Sequence, residues 1–267
     1  MNPKFLIVQV SLLLLVLFSC ASIDKATKDY SPMEEYYLGR SVMANALGKM
    51  PLLKNDFALY LNRIGNYLAL FSARPYTYKG FHIGILASDD VLAFSAPGGH
   101  ILLSKGLILQ LNNEDELAAI IAHELVHIEK NHALQAIRRS GVSEIGINTG
   151  LALISFFTQN QDLRNAMDNY NELVGEYAEL VINGSYNKEQ EIESDQGAVA
   201  ILTKAGYDPN ALAHALGLIK KHGSEGGWLS HHPADDHRIS LLPQNAVAQN
   251  PSRHRRFINQ KRLLSHD

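Results

Sequence analysis

Residues 114–134 read EDELAAIIAHELVHIEKNHAL. Asn112-Asn113 precede it, and Glu114, Asp115 and Glu116 fill its first turn, where carboxylates complement the positive end of a helix dipole. Leu117, Ile120, Ile121 and Leu125 recur at helical spacing and predict a helix with a buried face. Into that apolar surface the chain inserts His123, Glu124 and His127, polar groups that are costly to bury without partners. Residues four apart share a helix face, so His123 and His127 point the same way and can bind one metal ion.

Glu124 is adjacent to the first histidine and projects beside such a metal, where it can take a proton from water. Two histidines flanking a glutamate in this way form the H-E-x-x-H arrangement of zinc peptidases, in which the metal lowers the pKa of water towards about 7. Zinc then needs a third protein ligand and an open fourth position. The best downstream candidates are Glu191 and Asp195 in Glu191-Ile192-Glu193-Ser194-Asp195, on a helix expected over 189–204. They lie four apart and share a face, whereas Glu193 points elsewhere. One can ligate while the other orients a ligating histidine. His132, five residues after His127, falls about 140° round a continuous helix and is not expected to be a ligand.

Around these motifs the chain reads as mostly helical. Helices are expected over 30–50 and 57–70, then after the sheet over 114–134, 189–204, 209–221 and 235–247, the last interrupted near Pro243. Short strands are expected within 78–103, at Phe81–Leu86, Val91–Phe94 and His100–Leu103, punctuated by Asp89-Asp90 and Pro97-Gly98-Gly99. The apolar 145–157 segment has only 13 residues and is expected to be a buried helix or a lip over the site. The fold class is therefore α+β: a mostly helical domain with one small sheet beside the H-E-x-x-H helix.

Composition narrows the function. The 267 residues are 46% hydrophobic with a net charge of −3, which supports a folded core and gives no basic excess for nucleic acid. Twelve histidines exceed what packing needs and point towards a metal site. The one cysteine excludes a disulfide framework and a cysteine-rich zinc ribbon. That residue, Cys20, follows an apolar run of 14 residues from Phe5 to Phe18. As a helix the run reaches about 21 Å, short of the roughly 30 Å hydrocarbon core, so it reads as an export signal over residues 1–19. Leu17-Phe18-Ser19-Cys20 resembles a bacterial lipobox, with Phe18 larger than usual, and implies a mature chain of 20–267 lipidated on Cys20. No Asp follows Cys20, which by resemblance to enterobacterial sorting implies the periplasmic face of the outer membrane. The basic tail Arg253, His254, Arg255, Arg256, Lys261 and Arg262 is expected to be solvated.

His123-Glu124-x-x-His127 with the distant Tyr186-Asn187-Lys188-Glu189-Gln190-Glu191-Ile192-Glu193-Ser194-Asp195 resembles metallopeptidase family forty-eight, the HtpX/BepA/LoiP group. The resemblance spans about residues 30 to 245 and implies a zincin-like fold in the short, single-domain form. It makes Glu191 the third ligand of one zinc ion and puts Asp195 behind the ligands; Ser194 replaces a common alanine. Phe94-Ser95-Ala96-Pro97 resembles the family's edge strand, beside which an extended polypeptide substrate could lie, although Leu92 stands where an asparagine is usual. His232-Pro233 with Arg238-Ile239 resembles a further family segment. His232 and Arg238 could stabilise an oxyanion, or His232 could take the fourth zinc position and close the site until substrate displaces it. The implied function is a zinc endopeptidase of the bacterial envelope that degrades misfolded or misassembled envelope proteins. The alternative is a proteolytically closed zinc protein acting as a chaperone-like adaptor.

Overall fold

A computed structural model describes residues 30–139, 174–181, 186–222, 228, 232–233, 235–245 and 250–264. The apolar leader, Cys20, the 145–157 segment and residues 246–247 lie outside the described residues.

Two helices, α1 (Pro32–Lys49) and α2 (Phe57–Ala69), precede the sheet. The spacing of Phe57, Tyr60, Leu61, Ile64 and Leu68 gives α2 one buried face. Strands β1 (His82–Leu86), β2 (Ala93–Ala96) and β3 (His100–Ser104) pair in the order β1-β3-β2, parallel for β1 and β3 and antiparallel for β2 and β3. That order leaves β2 at an edge. Its turn needs glycine: Gly98 has φ 74°, and a Cβ there would come within 2.3 Å of the Tyr36 backbone.

Helix α3 (Lys105–Gln110) leads into α4 (Glu114–Glu129), which opens with the Asn113 side chain accepting from the Glu116 amide. Residues Glu114 to Ile128 are all buried, because α2, β2, α6 (Lys188–Ala205) and α7 (Ala211–His222) pack around α4. The crossing of α4 and α6 is close. Gly197 faces Val126, and a Cβ at Gly197 would lie 2.7 Å from a Val126 methyl. This approach brings the carboxylates of α6 to the histidines of α4.

Three expectations are corrected. The helix expected over 114–134 is two helices, since Asn131 adopts φ 55° and α5 (His132–Arg139) starts after it. Asparagine tolerates the left-handed region better than other residues with a Cβ, so it can stop one helix and turn into the next. The helix expected over 235–247 is only α8 (Asp236–Ser240), ending before Pro243. The basic tail is solvated only in part: it forms α9 (Pro251–Lys261), with Phe257 fully buried and Arg253 and Arg256 paired to Asp115 and Glu114 at the start of α4, while Arg255 and Arg262 stay exposed. Lys261 closes the contact by donating to the carbonyls of Leu109 and Leu111. A run of cations reads as solvated only while its partners are unseen; here they are the acidic first turn of α4. The result is a mostly helical α+β fold of the zincin-like kind.

Candidate metal centre

One helical turn on α4 brings His123 Nε2 and His127 Nε2 to 2.9 Å of each other. Glu191, on the first turn of α6, sets its carboxylate oxygens 3.5 Å from His123 Nε2 and 3.4 Å from His127 Nε2. The α6 N-terminus that carries it is held by a capping box between Asn187 and Gln190. His232, ahead of α8, places Nδ1 3.2 Å from His123 Nε2 and 2.9 Å from Glu191 Oε1. All four side chains are buried, and their donor atoms lie within 4.8 Å of one another. Zinc–ligand bonds of about 2.0–2.1 Å in a tetrahedron imply donor–donor edges of about 3.3 Å. The measured separations of 2.9–3.5 Å bracket that value, so the donor set fits one zinc ion.

Glu124 is fully buried beside this group. Its Oε1 accepts from Trp228 Nε1 at 3.4 Å and lies 3.5 Å from His232 Nε2, while Oε2 has no hydrogen-bond partner. Asp195 stays out of the donor group: its Oδ1 lies 3.0 Å from His123 Nδ1, the ring nitrogen turned away from the other donors. The structure thus separates the two carboxylates that share a face of α6.

Arg238, for which an oxyanion role is one expectation, faces two carboxylates of α6. Its Nε and Nη2 donate to Asp195 at 2.5 and 2.8 Å, and Nη1 lies 2.5 Å from Glu191 Oε2. Two buried carboxylates one turn apart need a cation, and a planar guanidinium spans both. Arg238 therefore braces Glu191 of the donor group and Asp195 behind it. Phe94, Ser95 and Ala96 form β2 with Pro97 in its turn, and Ser95, Ala96 and Pro97 share a narrow cavity with His127.

Two residues at the site, Tyr186 and Trp228, are given no role by the sequence, and a third, His132, is set aside there as a ligand and lies outside the donor group. Tyr186 stacks on His127, ring centroids 4.1 Å apart, and its side chain bonds Ser95 of β2. Trp228 stacks on His232 at 4.7 Å; a signal for it exists, the one tryptophan of the chain four residues before that histidine. His132 places Nδ1 2.9 Å from His127 Nδ1. The geometry of a continuous helix sets it aside, and Asn131 breaks that helix.

The charges of the site favour a bound cation. Burial drives His127 well below the usual imidazole range, so it is neutral. Burial opposes charge on Glu191 as well, but His232, His123 and His127 outweigh it and hold Glu191 well below the carboxylate range. Burial also opposes a charge on His123, yet Asp195 and Glu191 prevail and raise it to about 9. Without metal, a proton on His123 supplies the missing positive charge, and a metal ion must displace it. Zinc affinity is therefore expected to rise about tenfold per pH unit between neutrality and about pH 9, then level off. Chelator competition across that range measures it, and an affinity flat from pH 7 to 9 would contradict the assignment.

The sequence profile of Peptidase family M48 matches residues 57–246. Among curated proteins, the chain is 25% identical over 230 residues to the beta-barrel assembly-enhancing protease of Yersinia pestis, covering 82% of this chain and 44% of that protein. It is 29% identical over 161 residues to the mitochondrial metalloendopeptidase OMA1 of Arabidopsis thaliana, covering 60% of this chain and 30% of that one. Metalloprotease YcaL of Escherichia coli (strain K12) is 24% identical over 198 residues, 72% of this chain and 62% of its own. The chain thus spans less than half the length of the first two of these relatives. With the profile covering the sheet, both histidines of α4 and the carboxylates of α6, the chain belongs to peptidase family M48.

Proposed function

We propose that the protein is a zinc-dependent endopeptidase of the bacterial envelope, acting on misfolded or misassembled polypeptides. The observation that carries this reading is the close, buried donor set of His123, His127, Glu191 and His232 with an unpartnered carboxylate oxygen of Glu124 buried beside it. His123, His127 and Glu191 hold the metal. Bound zinc supplies a Lewis acid that makes water acidic near neutral pH. Glu124 accepts the proton of the attacking water and passes it to the leaving amine nitrogen as the C–N bond breaks. Asp195 orients His123 through Nδ1, and Arg238 holds Asp195 and Glu191 in place. The edge position of β2 supports binding of an extended substrate along Phe94 to Pro97 by main-chain hydrogen bonds.

His232 lies in the donor group and could take a fourth zinc position, which would leave none for water until substrate displaced it. The short apolar leader and Cys20 support export and a lipid anchor, with the mature chain at the periplasmic face of the outer membrane. Among the described residues no helix is long and apolar enough to cross a membrane.

Zinc content and casein cleavage of the full-length protein test the reading. One zinc per chain is expected, with cleavage lost on chelation and restored by zinc. Zinc without cleavage by the wild type would favour the adaptor, and a protein that takes up no zinc would remove the basis of both.

A further inference from the structure

We infer that Asn131 and His132 are a positioning device for His127: the left-handed turn at Asn131 folds His132 back onto His127, and His132 fixes the tautomer that presents Nε2 to the metal. The inference rests on the metal centre proposed above and concerns how one of its ligands is held.

A neutral imidazole carries one N–H and one lone pair. His127 Nε2 faces His123 and Glu191, so as a ligand it offers its lone pair there and keeps its proton on Nδ1. The partner of that Nδ1 is His132 Nδ1 at 2.9 Å. Two ring nitrogens at hydrogen-bond distance share one proton, so His132 must accept at Nδ1 and carry its own proton on Nε2. There it meets an acceptor: Glu193 Oε2 lies 3.2 Å away. Glu193 is fixed in turn, since its Oε1 pairs with Lys130 Nζ at 2.9 Å. Ser194 Oγ, 3.4 Å from His132 Nδ1, is a secondary contact. The relay from His127 through His132 to Glu193 therefore has one consistent direction, and it ties the end of α4 to α6.

The backbone makes the relay available. On a continuous helix His132 would face about 140° away from His127. With Asn131 at φ 55°, α5 sets off in a new direction and His132, fully buried, packs against the back of His127 at a ring separation of 4.9 Å. Carboxylates and carbonyls are the usual partners behind a metal-ligating histidine, and a second histidine here does the same work only in one tautomer.

Zinc affinity of the full-length protein, measured by chelator competition, tests this without proteolysis. His132→Leu removes the acceptor and is expected to weaken zinc binding about 10–100-fold, the usual effect of losing such a partner. His132→Asn keeps an acceptor oxygen where Nδ1 stood and is expected to retain most of the affinity. Asn131→Gly preserves the left-handed turn and stays close to wild type, whereas Asn131→Val, strained at positive φ, loses affinity as His132→Leu does. If His132→Leu does not fold, His132→Asn decides alone: affinity near wild type supports the relay, and a loss of tenfold or more overturns it. His132→Leu binding zinc as the wild type does would overturn the inference while leaving the proposed metal centre standing. A wild type that binds no zinc would overturn both.

Discussion

Replacing Glu124 by glutamine is expected to lower casein cleavage by about 10²–10⁴-fold, the range that a positioned general base contributes, and to leave zinc content at one per chain. The separation follows from geometry. Glu124 does not belong to the four-donor group, so its loss removes no ligand. Glutamine has the same shape, and its carbonyl oxygen can keep the bond from Trp228 Nε1 that Oε1 now accepts. What it cannot do is accept a proton at neutral pH, and Oε2, buried and unpartnered, is the atom that would take it. A ligand variant such as His123→Ala gives the contrasting result, losing zinc together with cleavage. Equal cleavage by Glu124→Gln and wild type would show that Glu124 is not the base.

The parts of this site legible in the sequence are those written at helical spacing. His123 and His127 need only one turn of helix to converge, and the apolar residues around them announce that the turn is buried. Glu191 and Asp195 are legible as a pair, but the residues alone leave open which of them joins the metal. Tertiary packing separates them, through the close α4–α6 crossing at Gly197 and the guanidinium of Arg238. His132 is rightly set aside as a ligand, since it lies outside the donor group, but its place behind His127 is not legible because one asparagine changes the direction of the chain, a backbone event that side-chain periodicity does not record. The basic tail is half legible for a different reason: Arg255 and Arg262 are exposed as expected, but Arg253 and Arg256 have partners. Its partners Glu114 and Asp115 lie more than a hundred residues earlier, where they already read as a helix-start signal, and a residue with one local role gives no sign of a second, distant one.

Arg238→Met distinguishes a guanidinium that serves the reacting carbonyl from one that braces the carboxylates of α6. If Arg238 served the reacting carbonyl, the variant would lose cleavage at unchanged stability. In the structure its guanidinium is 1% exposed and pairs with Asp195 and Glu191, both buried. Removing one partner from a buried ion-pair network typically costs about 3–5 kcal/mol, because the remaining charges stay desolvated and unpaired. At about 2–4 °C per kcal/mol for a chain of this size, the metal-free variant is expected to melt roughly 6–20 °C below the metal-free wild type. The pH dependence gives the sign. Burial pushes the Asp195 carboxyl up, but Arg238 and His123 outweigh it and hold it below its ordinary 3.8. A depressed carboxyl contributes stability that is present above its unfolded value and lost as the pH falls through the folded one. The gap between wild type and variant should therefore be full at pH 7, begin to narrow below about pH 4, and close only as the pH falls through the lower value of the folded Asp195 carboxyl. An unchanged melting temperature at pH 7 with cleavage abolished would return Arg238 to the oxyanion role, and with it the picture of a cation that faces substrate instead of the ligands.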